Sequence, residues 1–352
     1  MKILILYTEL AGYVVSCINE ASLNPAIKEI HVVRYPINSE APFTFEFHDK
    51  VKIYKRNEWT NKKLLELAVQ LKPDVVLCSG WIDKTYVKIC KQLKKSSKTV
   101  LTMDNHWKGS LKQYALKMVS GFTIHRAFSY SWVPGKPQKE YSLKLGFKPN
   151  AIFEGFYVTD TTSLSKLFEV KKKSKRVPKV FICAARYIPA KGLETLWNAF
   201  IMLKKRDKTD WQLWCAGQGE NFDERIEYEG IKHLGFVQPI ELESLMLETG
   251  VFVLPSVFEP WGVAVQEFAV AGFPLVLSNK IGSSDSFLKE KKNGYSFKAN
   301  DVNDLYFKLL QVTLLSESEL LQMSSVSNNH GSRLTIENWV KTLILIGSNG
   351  SV

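Results

Sequence analysis

The segment Val251 to Asn279, VFVLPSVFEPWGVAVQEFAVAGFPLVLSN, constrains this chain more than any other. It reads as an apolar strand, an acidic turn, a short helix that starts near Gly262 and stops at Gly272 with Pro274 just beyond, and a second strand. Two carboxylates, Glu259 and Glu267, lie eight positions apart in it, one in the turn and one on the helix. Backbone N–H groups of Trp261, Gly262 and Val263 at the helix start suit an anion such as a diphosphate. Glu267, about one and a half turns further on, is placed to accept hydrogen bonds from sugar hydroxyls.

The same alternation of apolar strands and helical stretches runs through both halves, which predicts an α/β fold with parallel sheets and crossover helices. In the first half we read strands at 2–7, 29–34, 51–54, 75–78, 99–102 and 129–133. In the second, the strand Val180 to Ala185 ends in Arg186-Tyr187-Ile188-Pro189-Ala190-Lys191-Gly192, and a helix follows through Leu193, Leu196 and Phe200. A guanidinium and an ammonium at the carboxyl end of a parallel strand point into the crevice where such sheets bind ligands, and both suit a diphosphate. Gly217 and Gly219 allow a tight turn after the next strand. His233, on the strand Ile231 to Val237, reads as core packing.

These pieces together resemble the family-4 retaining glycosyltransferases. The resemblance rests on the order Pro255-Ser256, Glu259-Pro260-Trp261-Gly262, Glu267, Ala271-Gly272-Phe273-Pro274, which matches the family's Glu-x7-Glu signature, and on Arg186 to Gly192, which matches its Arg-x4-Lys-Gly element. It implies the architecture called GT-B, two Rossmann-like domains with parallel sheets facing across a cleft. The expected parts are an acceptor-binding domain over 1–165, a basic, solvated linker over 166–178, a nucleotide-sugar-binding domain over 179–330 and a C-terminal helix over 331–352 crossing back to the first. The resemblance also assigns roles. Arg186 and Lys191 would neutralise the diphosphate, Glu259 would hold the transferred sugar, Glu267 the ribose, and Gly217 and Val237 would line the nucleotide.

In the first domain the match is weaker. Where the family carries a glycine-rich loop after its first strand, this chain offers a single glycine, Gly12. After the strand ending at Thr102, where many members place a histidine near the donor sugar, it has Met103-Asp104-Asn105-His106, so Asp104 and His106 are both candidates. Gly80 to Lys84, with Trp81 and Asp83, is expected to recognise acceptor. Gly155-Phe156-Tyr157 replaces the family's Asn-Gly pair.

Charge is divided unevenly. Residues 1–178 hold 30 Lys and Arg against 15 Asp and Glu, whereas 179–352 hold 17 against 20, within a total of +12 over 352 residues. A basic first half fits anionic lipid headgroups and a phosphate-bearing acceptor. The segment Asn105 to Arg126 interleaves Trp107, Leu111, Tyr114, Met118 and Val119 with Lys108, Lys112, Lys117 and Arg126, and reads either as a membrane-surface helix or as an ordinary amphipathic helix with a solvated basic face. No nucleic-acid-binding module accompanies the charge. Five scattered cysteines, Cys17, Cys78, Cys90, Cys183 and Cys215, suggest neither zinc nor a disulfide framework, and a reducing cytosol is the expected setting. No apolar run approaches the roughly 18 residues of a membrane span, and MKILILYTEL reads as a first strand instead of a leader.

The reading is therefore a metal-independent retaining transferase. It would move a sugar from a nucleoside diphosphate, UDP ahead of GDP, to a glycan or lipid-linked acceptor in cell-surface polysaccharide or lipopolysaccharide synthesis. No cofactor is expected, and the chain lacks the Asp-x-Asp of metal-using transferases. The alternatives are a non-catalytic sugar-nucleotide-binding subunit and a sugar-nucleotide epimerase on the same fold.

Overall fold

The computed structural model describes residues 1–37 and 44–348. Runs such as VVLC and VFVL are apolar throughout, as strands covered on both faces must be, and they form two wholly parallel sheets. The chain divides into two compact units, Met1–Thr159 with Leu334–Val352, and Asp160–Arg333.

The first unit contains β1 (Lys2–Tyr7), β2 (Glu29–Arg34), β3 (Val51–Lys55), β4 (Val75–Ser79), β5 (Lys98–Thr102), β6 (Tyr130–Trp132) and β7 (Ile152–Phe153). They lie in the order β3-β2-β1-β4-β5-β6-β7. Ile3 pairs with Ile30 on one side and Val75 on the other, which makes β1 central. The two-residue period puts Ile3 and Ile5 in a core with Trp132 and Trp339, and Leu4 and Leu6 in a second core with Tyr86 on the opposite face. The helix Ile336–Ser348 buries Trp339, Val340, Leu343 and Ile346, and the Trp339 indole donates to the Phe156 carbonyl at 3.0 Å.

The second unit contains β8 (Val180–Ala184), β9 (Gln212–Ala216), β10 (Ile231–Gly235), β11 (Val251–Leu254), β12 (Leu275–Ser278) and β13 (Gly294–Phe297), ordered β10-β9-β8-β11-β12-β13. From β8 the chain winds outward to β9 and β10, then returns to lay β11 on the other side of β8. Beside β11, the Phe268 ring stacks on Phe252 with centroids 4.0 Å apart.

The stretch 166–178 differs from the solvated linker expected of it. A helix runs from Thr161 to Ser174, capped by the Asp160 carboxylate accepting from Thr162 N and Ser163 N. Leu164, Leu167 and Phe168 recur at helical spacing and are buried. Lys171 turns inward: its ammonium donates to the Met246 and Thr249 carbonyls at 2.8 and 2.7 Å and lies 3.4 Å from the Phe273 ring centre. Desolvation by burial pushes its pKa well below the usual lysine value. Lys171→Met keeps the apolar stem but leaves two carbonyls without their donor. We expect it to lower unfolding free energy by about 2 kcal/mol, measured by denaturant titration, whereas the exposed Lys172→Met changes it little.

Candidate functional site

In a doubly wound sheet the crevice opens where neighbouring strands send their connections in opposite directions, beyond the strands' carboxyl ends. In the second unit that point lies between β8 and β11. The loop after β8 carries Arg186 and Lys191, and the loop after β11 carries Glu259. The structure joins these loops through backbone as well as side chains. The Ala190 carbonyl accepts from Val257 N at 2.9 Å and Phe258 N at 3.3 Å. Gly192, with φ of +62°, closes the Pro189–Lys191 turn and starts the helix Leu193–Asp207. A Cβ there would stand 2.6 Å from the Pro255 carbonyl oxygen, so the approach of the two loops requires glycine.

Lys191 Nζ forms an ion pair with Glu259 Oε2. Their side chains are 17% and 13% exposed, which leaves the pair reachable yet largely removed from water. Buried Cys183, at the end of β8, has its thiol pKa raised by desolvation, with the Lys191 charge acting in the opposite sense. Arg186, in the same loop as Lys191, is exposed. The resemblance assigns the lysine and the glutamate separate duties; the structure pairs them directly.

Glu259 is held from several sides. Its N–H donates to the Lys280 carbonyl at 3.0 Å, its carbonyl accepts from Gly282 N at 3.0 Å, and Ser256 Oγ lies 3.5 Å from Oε2. Buried Trp261 accepts at its carbonyl from Ser283 N, and Ser283 Oγ donates to the Gly262 carbonyl at 3.2 Å. Ser283 is not among the residues singled out from the sequence, where no motif marks it. Gly262, with φ of +89°, begins the helix Val263–Val270, and no side chain caps that helix start. Its leading N–H groups therefore remain available to an anion. Glu267 sits half-buried on the same helix.

Gly217 stands where the backbone leaves no room for a side chain. Its N–H donates to the Gly235 carbonyl at 2.7 Å, and a Cβ on it would fall 1.9 Å from the Ala185 oxygen. The missing side chain makes room for the backbone that leads into Arg186. Val237 follows β10 and is half-buried. His233 packs as core: Nδ1 pairs with the Tyr187 hydroxyl at 2.8 Å and Nε2 with the Ile226 carbonyl at 3.0 Å. A cavity of about 430 Å³ adjoins this loop cluster, lined by Tyr187, Ile188, Gly192, Trp197, Asn221 and Val257 among others. Lys191, Glu259 and Glu267 do not line it.

In the first unit the sheet order reverses between β1 and β4. Gly12 opens the helix Gly12–Leu23, whose start carries no side-chain cap. Asp104 and His106 follow β5; the Asp104 carbonyl accepts from Gln138 Nε2 and the His106 carbonyl from Gln113 Nε2, each at 2.9 Å. Asp83 departs from the acceptor role expected of it. Its carboxylate, 5% exposed, accepts from Thr85 N, Tyr86 N, Arg56 Nε and the Tyr35 hydroxyl. Burial alone would raise its pKa, but these bonds together hold it below the usual value. It caps the helix Lys84–Leu93. Trp81 and Trp107 are also half-buried, both packed against Tyr141, and Trp107 meets Tyr114 edge-on at 4.9 Å. Lys108, Lys112 and Lys117 are exposed. Among the described residues no group of three His, Cys, Asp or Glu is placed to hold a metal ion, and no helix is long and apolar enough to cross a membrane.

Residues 166–324, just under half of the chain, match the family model of glycosyl transferases group 1. An uncharacterized glycosyltransferase of Methanocaldococcus jannaschii is 34% identical over 123 residues, 33% of this chain and 31% of its own. The chain thus spans about a third of the length of the first curated relatives it matches. Anabaena HepE, solved in complex with UDP and glucose, superposes with a TM-score of 0.72 at 13% identity, covering 98% of each chain. A glycosyltransferase from Rickettsia africae superposes with a TM-score of 0.75 at 12% identity, over 99% of this chain and 98% of its own. At such identities these likenesses show the fold, which is GT-B. The class that the family match supports is a group 1 glycosyltransferase.

Proposed function

We propose that this protein transfers a sugar from a nucleoside diphosphate to a glycan or lipid-linked acceptor, with retention of anomeric configuration and without a metal ion. The observation that carries the reading is the Lys191–Glu259 pair at the switch between β8 and β11, beside an uncapped helix start at Gly262. The bond between the sugar's anomeric carbon and the diphosphate oxygen breaks, and the leaving group accumulates negative charge. Arg186, Lys191 and the N–H groups at Gly262 and Val263 stabilise that charge, which is the work a divalent ion would otherwise do. Glu259 holds hydroxyls of the transferred sugar and Glu267 those of the ribose, so the reactants are oriented before the bond breaks. The acceptor oxygen bonds to the anomeric carbon from the face the diphosphate leaves, and its proton passes to the departing phosphate. UDP is favoured over GDP because HepE, which shares the fold, was solved with UDP. The basic first unit favours an acceptor at the cytoplasmic face of a membrane, in surface-polysaccharide or lipopolysaccharide synthesis.

The test is transfer from a UDP-sugar in the presence of EDTA, with the product's anomeric configuration read by NMR. We expect turnover with the donor's configuration kept. An inverted product, or activity that appears only on adding magnesium or manganese, contradicts the mechanism.

A further inference from the structure

The helix Leu111–Val119 has none of its residues buried. Successive side chains are set about 100° apart, so Leu111, Tyr114, Ala115, Met118 and Val119 share one side, and all five are exposed. Gln113 and Leu116 point the other way and make the inward contacts, Gln113 reaching the His106 carbonyl and Leu116 packing on the core around Tyr86 and Tyr141, while half-covered Tyr114 at the stripe's edge meets Trp107. The apolar stripe thus faces solvent, the reverse of an ordinary surface helix. Leu111 is 87% exposed, Met118 83% and, in the turn that follows, Phe122 71%. Lys112 and Lys117 flank the stripe on either side. A shallow groove of about 460 Å³ adjoins it, lined by Lys117, Glu140, Leu143 and Lys144. From Asn105 to Lys148 the sequence carries eight Lys and Arg and a single carboxylate, Glu140.

We infer that this face docks on an anionic phospholipid bilayer. Large apolar side chains outermost, with ammonium groups beside them, match a surface whose acyl layer lies beneath a plane of phosphates. The same face of a second copy, equally basic, would repel it, and a neutral partner would leave its lysines without counter-charge. Leu111, Met118 and Phe122 enter the headgroup boundary, Lys112 and Lys117 stay at phosphate level, and the groove between Lys117 and Lys144 receives one phosphate. The inference deepens the acceptor reading above by naming the surface on which a lipid-linked acceptor is met. Its test uses neither donor nor acceptor, so failure of one leaves the other standing.

The experiment is flotation of the purified full chain with phosphatidylcholine vesicles, with and without phosphatidylglycerol, at low and high salt. Binding is expected only with phosphatidylglycerol and is expected to weaken as salt rises. Leu111→Ser with Met118→Ser is expected to lower partitioning at least tenfold, and Lys112→Gln with Lys117→Gln about thirtyfold. All four positions are exposed, and an unchanged thermal melt shows that the fold is kept. Absence of binding, equal binding to neutral vesicles, or undiminished binding by the Leu111→Ser/Met118→Ser variant overturns the inference. A lipid-free dimer that this variant dissociates overturns it too, by assigning the face to a second copy.

Discussion

Lys191→Ala is expected to reduce kcat on the order of 10²–10³-fold while the protein stays folded. The ammonium stands at the carboxyl end of β8, paired with Glu259 and only 17% exposed, where a charge is less screened than at the surface. Removing it takes away stabilisation of the leaving diphosphate, an interaction that strengthens as the bond breaks, so kcat falls more than KM rises. It also leaves the Glu259 carboxylate without its partner, so the residue meant to position the sugar is disturbed as well. Glu259→Ala is expected to be similarly damaging. Because the two side chains touch, the double variant should lose little more than the worse single one. Steady-state kinetics on the four proteins, each checked by its thermal melt, measure this. Full activity in either single variant, with the fold intact, removes the pair from the site.

Gly217→Ala is expected to cost about 3 kcal/mol or more in stability and to abolish nucleotide binding in whatever fraction folds. The residue has φ of +142°, a backbone conformation that side chains oppose, and a Cβ would overlap the Ala185 carbonyl at 1.9 Å. The clash is with backbone on both sides, so no rotamer change relieves it. Relief requires β8 and β9 to separate at their carboxyl ends, which moves Arg186 and breaks the bond from Tyr187 N to the Gln218 carbonyl. Denaturant titration reads the stability change. A variant as stable as the parent contradicts the account of why glycine stands there.

The fold was legible because parallel strands announce themselves: VFICA, VFVL and LVL are uninterrupted apolar runs, and each leads into a helical stretch within nine residues of the strand's end. The two-residue β7 was too short to leave a pattern. The loop residues of the candidate site stood out for a related reason. Charges immediately after an apolar strand have few places to point other than the crevice, which singled out Arg186, Lys191 and Glu259. What local sequence does not carry is the partner of each charge. The pairing of Lys191 with Glu259 spans 68 positions, and the capture of Asp83 by Arg56 spans 27. A run of lysines also looks solvated wherever it falls, so Lys171 was read as linker, although Leu164, Leu167 and Phe168 already showed a helical face. The helix at Leu111 misleads in the opposite way. Its amphipathic pattern was visible, but which side faces the core depends on Gln113 and Leu116 finding contacts there, and that is settled by tertiary structure.

A nucleoside diphosphate is expected to bind in the second unit with no metal, held by the loop after β8. The most direct test is thermal stabilisation in EDTA against UDP, GDP and their sugars, for the parent and for Arg186→Ala. A ligand at a hundredfold excess over its Kd stabilises the state that binds it by about 2.7 kcal/mol, a shift of roughly 5–10 °C for a unit of this size. The account predicts such a shift for one nucleotide, with or without its sugar, and its loss in Arg186→Ala. No shift with any nucleotide, or an equal shift in the variant, would contradict it.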